Sequence, residues 1–129
     1  MTDVLNLAPV VEELSFAHGD TFVWERVYKD QNGNVVDISS YGGFELTVNQ
    51  VENPTDETQQ IFLVTGTVPV GTDGRILWQF STANWSAFVT AMGQPPATAY
   101  YDLEQVDPAG NKRTIRKGRF IVTQDINKP

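Results

Sequence analysis

The chain has 129 residues, 40% of them hydrophobic and 11% aromatic, no cysteine, and a formal net charge of −7. That length buries one core without a metal or disulfide staple, and the composition excludes a disordered chain, a disulfide framework and a thiolate metal site. The acidic balance argues against a nucleic-acid partner, and no apolar run approaches the roughly 20 residues that span a bilayer.

Residues 1–15, "MTDVLNLAPVVEELS", show no clean period and contain Pro9. They read as an extended arm, able to lie as an edge strand, ahead of a single β domain over 16–129. The start lacks the basic segment and apolar run of a signal peptide, so cytoplasmic synthesis is expected. The one histidine, His18, stands in "HGDT" at the entrance to the first strand. "TFVWERVY" then alternates two sets with period two, a strand signal. In "KDQNGN", Asn32-Gly33 marks a hairpin turn, because such turns need positive φ. "VVDISSYGG" reads as a short strand and a tight corner, where Asp37 can accept bonds from backbone amides. "FELTVN" alternates again, with Phe44, Leu46 and Val48 inward and Glu45, Thr47 and Asn49 outward.

"QVENPTDETQQ" is polar and reads as a loop. "IFLVTGTVPV" is a strand broken near Gly66, its Val-Pro-Val end suited to an edge. "GTDG" is a turn, and "RILWQFS" places Ile76, Trp78 and Phe80 on one face. In "TANWSAFVTAM" the period changes to 3.6: Thr82 can cap a helix whose apolar face carries Trp85, Phe88, Val89 and Met92, and Gly93 ends it. "AYYDLEQV" and "GRFIVTQ" are strands joined by "DPAGNKRTIRK", a turn and a basic hairpin arm. The pattern predicts an all-β fold, an antiparallel sandwich of seven or eight strands with one short helix.

Charge is divided unevenly. Residues 1–60 hold eleven acids and two bases, and residues 61–129 five acids and seven bases. Five of the nine bases, Lys112, Arg113, Arg116, Lys117 and Arg119, fall in "KRTIRKGR". Such a run is a solvated face or a patch that meets acidic surface on a neighbour.

"GDTFVWERVYKDQNGNVVDISSYGGFELTV", "DGRILWQFSTANWSAF" and "YYDLEQVDPAGNKRTIRKGRFIVTQDI" occur in the order and spacing of a known family. They resemble small virion proteins of tailed bacteriophages: baseplate upper proteins, N-terminal-domain-like, and related immunoglobulin-like tail and neck proteins. The likeness runs over about residues 16–126, with Ser40 where the family usually has glycine. It implies an immunoglobulin-like β-sandwich and a structural role in the particle, the partners being other virion proteins and further copies of the chain.

Chemistry-bearing clusters are scarce. A triad needs a serine and a carboxylate near His18, and no Gly-x-Ser-x-Gly elbow is present. "DQNGN" lacks the bidentate Glu of a calcium loop, Tyr41 standing where it should be. Asp102 and Glu104 share one strand face, as any i, i+2 acids do. Trp24, Trp78 and Trp85 sit in apolar patterns that favour core packing. No catalytic, metal or cofactor residues are expected. The candidate site is instead a protein interface: Leu5, Leu7, Val10 and Val11 on the arm, and Lys112, Arg113, Arg116, Lys117 and Arg119 on the hairpin. These features lead to the expectation of a non-enzymatic tail or baseplate component, homo-oligomeric in the virion, contacting neither nucleic acid nor membrane. A capsid decoration protein of the same fold and a carbohydrate- or receptor-binding module are the alternatives.

Overall fold

The computed structural model describes residues 10–17 and 22–123. His18, Leu5 and Leu7 lie outside them. The elements in order are β1 (Val10–Val11), β2 (Leu14–Ala17), β3 (Phe22–Val27), β4 (Gly43–Asn49), β5 (Gln60–Thr65), β6 (Arg75–Phe80), α1 (Thr82–Met92), β7 (Ala97–Val106) and β8 (Lys112–Thr123). The fold is therefore mostly β with one helix. A six-stranded sheet runs β1-β8-β7-β4-β5, with β2 also on β8, and β3 pairs with β6 in a separate ribbon.

The sheet is mixed rather than wholly antiparallel. β1 and β2 both run parallel to β8, while the β7–β8, β4–β7 and β4–β5 pairs are antiparallel. The cause is non-local: the first described strands lie against the last, so no hairpin fixes their direction.

Alternation sets the core. Phe44, Leu46 and Val48 of β4 and Ile76, Trp78 and Phe80 of β6 are buried, as their period-two spacing predicts. The ribbon faces the large sheet through these side chains. Trp78 Nε1 donates to the Phe44 carbonyl at 3.2 Å, and the Phe80 and Phe120 rings lie 6.1 Å apart. A buried polar pair joins them too, Tyr28 Oη donating to Gln105 Oε1 at 2.7 Å. Helix α1 packs Trp85 and Phe88 inward, Trp85 stacking on Phe80 at 5.9 Å. Its N-cap is Ser81, one residue before the expected Thr82. Asn84 Oδ1 accepts from the Ser81 amide at 2.8 Å.

Two departures from the expected pattern have local causes. Asn49 stays on the outward face with Thr47 and Asp102 but is buried there, its amide donating to Asp102 and residues from Pro54 to Gln60 lining the same cleft. The short strand expected after the first hairpin reduces to one bridge, Lys29 to Val35. The chain there turns at once into the corner, where Asp37 accepts from the Ser39 amide at 2.9 Å and hydroxyl at 2.6 Å. Those bonds hold the Asp37 carboxyl below its ordinary value.

The two Asp-x-x-Gly-Asn turns, at Asp30 and Asp107, are built identically. In each, the Asp Oδ1 accepts two backbone amides, Asn32 and Asn34 in one, Ala109 and Asn111 in the other. In each, the glycine adopts positive φ, 83° at Gly33 and 87° at Gly110. The second turn starts β8 directly. "KRTIRK" is thus the first half of one twelve-residue strand and not a separate hairpin arm.

Candidate protein interface

The arm and the basic strand form one seam. Val10 stands opposite Arg116 and Val11 opposite Lys117, and Leu14 to Ala17 continue the same register against Phe120 to Thr123. Leu14 enters the core, and Phe16 lies 5.3 Å from Phe80 and 5.2 Å from Phe120. Between β1 and β2, the Glu12 amide donates to the Lys117 carbonyl at 2.9 Å.

Glu12 is the centre of the seam. Its Oε1 accepts from Arg116 at 2.8 Å and its Oε2 from Arg26 at 2.7 Å, so one carboxylate ties β8 to β3. Arg26 also lies over the Trp24 ring, 5.0 Å from its centroid. Glu13 pairs with Arg119 at 2.5 Å. All these groups are partly solvated, so each pair contributes about 0–1 kcal/mol and the set acts mainly on register.

Gly118 makes the close approach possible. A Cβ there would lie 2.2 Å from the Glu12 carbonyl oxygen. Tyr101 stands opposite Gly118 on β7, and its hydroxyl donates to that same carbonyl at 2.7 Å. Burial, with the Glu12 charge adding to it, pushes the Tyr101 phenol well above its ordinary value, so it remains a neutral donor.

Val11 is 72% exposed, and Val10 belongs to the same short strand. Of the basic candidates, Arg116 and Arg119 are engaged by the arm of the same chain, and Lys112 and Lys117 point to solvent. Arg113, half-exposed, stands opposite Gln105. The two sets proposed from sequence are therefore brought together, Val10, Val11, Arg116, Lys117 and Arg119 along one edge. Sequence reasoning missed Glu12, Arg26, Tyr101 and Gly118. The signal was faint: two adjacent acids directly after the Val10-Val11 pair, and a glycine inside a basic strand.

Elsewhere the surface offers less. An open cleft of about 310 Å³ is lined by Thr47, Asn49, Asp56, Gln60 and Asp102, among others. Burial pushes the Asp102 carboxyl up, Glu104 adds to the shift, and the Asn49 amide, 3.3 Å away, partly offsets it. Trp78 and Trp85 are buried, and Trp24 packs on Trp78 with centroids 4.8 Å apart, so the tryptophans make no exposed stacking platform. Among the described residues, no three His, Cys, Asp or Glu side chains gather to hold a metal. Among the same residues, no helix is long and apolar enough to cross a membrane.

No family model matches the sequence, and no curated protein matches it. Among solved structures the chain is similar to an uncharacterized protein from Bacillus anthracis str. Ames, determined at 1.4 Å. The two are 16% identical, with a TM-score of 0.43 over 93% of this chain and 89% of that one.

Proposed function

We propose that this chain is a non-enzymatic structural protein of a tailed-bacteriophage particle, a tail or baseplate component that attaches one subunit to another. In this reading the β core is an immunoglobulin-like sandwich, and it serves as a rigid body that carries attachment surfaces. The resemblance over about residues 16–126 supports the setting. The observation that carries the attachment role is the seam itself: an N-terminal strand laid along a basic edge strand, its acids paired with that strand's arginines. Strand addition of this kind supplies affinity through the backbone and register through side chains.

Lys112 and Lys117 are the free-facing bases of that edge and would meet acidic surface on the next subunit. Reversing both, Lys112→Glu with Lys117→Glu, tests the role in the phage. The yield of complete particles should fall at least about tenfold, as loss of a steering patch does for association, while the isolated chain keeps its Tm. An unchanged yield would remove β8 from the contact.

A further inference from the structure

We propose that residues 10–17 exchange between copies of this chain, the arm of one copy pairing in parallel with β8 of another; this rests on the attachment role proposed above. Four observations support it. The arm's strands pair with β8 alone, so detaching them breaks one ladder and leaves the β7–β8, β4–β7 and β4–β5 pairs intact. Its partners are remote in sequence, 104 residues apart for Glu12 and Arg116, so nothing in the local chain dictates which copy supplies the strand.

The third observation is that the socket is built entirely from residues outside the arm. Arg26, Tyr101, Arg116, Gly118 and Arg119 receive Glu12 and Glu13, and the Cβ-free notch at Gly118 admits the arm backbone of any copy. The fourth is Val11, left 72% exposed in the single chain beside the most specific contact of the seam. In an exchanged pair it lies where two copies meet. Acidic arm and basic socket are complementary between copies as they are within one.

The exchanged arm repeats the pairing with β8 that the single chain makes, and only the Val11 contact is new, so concentration largely decides between the two arrangements. Only residues 18–21 separate β2 from β3. A tether that short gives each arm an effective concentration near its own β8 in the millimolar range. Dilute chains keep their own arms, and subunits packed in a ring, at comparable local concentration, trade them.

The absence of cysteine permits a direct test on the full-length chain. Ser15 and Ile121 are register partners on adjacent strands. Ser15→Cys and Ile121→Cys are placed in separate chains, one with a size tag. The two are refolded together from about 10 μM to about 1 mM and joined with a short bismaleimide. The interchain product should rise more steeply than for a control pair at Ser15 and Thr72, and should vanish when both chains carry Gly118→Ala. In case that substitution impairs folding, Glu13→Arg chains are mixed with Arg119→Glu chains, and the mixture should cross-link more than either alone. A product no greater than the control at about 1 mM overturns the proposal, as does equal cross-linking of the charge-reversed chains mixed or separate. The purified chain is used without other virion proteins, so failure here leaves the virion reading to its own test.

Discussion

Tyr101 and Gly118 face each other across β7 and β8, and the glycine's missing side chain lets the phenol reach the Glu12 carbonyl. Tyr101→Phe keeps the ring and removes the donor. It should cost about 1 kcal/mol of stability and speed amide exchange in residues 10–17 more than in β4. Asp102 makes the second prediction at this scale. Its folded carboxyl is raised above the ordinary 3.8, so the folded chain holds the proton more tightly than the unfolded one. Stability linked to this group is greatest below the unfolded value and falls as pH rises through the folded one. Asp102→Asn should therefore raise Tm at neutral pH, with a gain that disappears below pH 3.8 in thermal scans. These two residues also mark what sequence could not convey. Asp102 reads as any acid on a strand face, because the pairing of β4 with β7 that brings Asn49 beside it joins residues 53 apart in sequence.

The elements divide by how local their causes are. β4, β6 and α1 follow from spacing within ten or so residues, so the periodicity alone puts Phe44, Trp78 and Phe88 on an apolar face, and all three are buried. The arm and the first half of β8 depend on each other across the whole chain. Arg116 looks like a solvated charge until Glu12 is set beside it. Lys112 to Lys117 read as a hairpin arm because charges hid the strand period. Gly118→Ala probes this dependence. Its Cβ would meet the Glu12 carbonyl oxygen at 2.2 Å, so the arm should lift off β8. Hydrogen exchange should then show protection lost over 10–17 and kept in β4 and β6. Uniform loss would mean that the arm is part of one cooperative unit. At the helix, Asn84→Ala removes the acceptor for the Ser81 amide and should cost about 1 kcal/mol in denaturant unfolding.

At the scale of the molecule, an aromatic core locks a rigid body, and the charged seam lies along one edge of it. Phe80 touches Phe16, Phe62, Trp85 and Phe120 across sheet, ribbon and helix. Phe80→Ala should cost about 3–5 kcal/mol, enough to unfold the chain or nearly so. Trp78 and Trp85 are buried and Trp24 is half-buried, so acrylamide should quench only a minor part of the fluorescence, whereas a carbohydrate-stacking surface would give strong quenching. The proposed place of this body in a phage tail is tested by immunogold electron microscopy of purified phage particles with an antibody to this chain. That placement predicts label at the tail end of the particle. Label over the head, or on no particle at all, would contradict it.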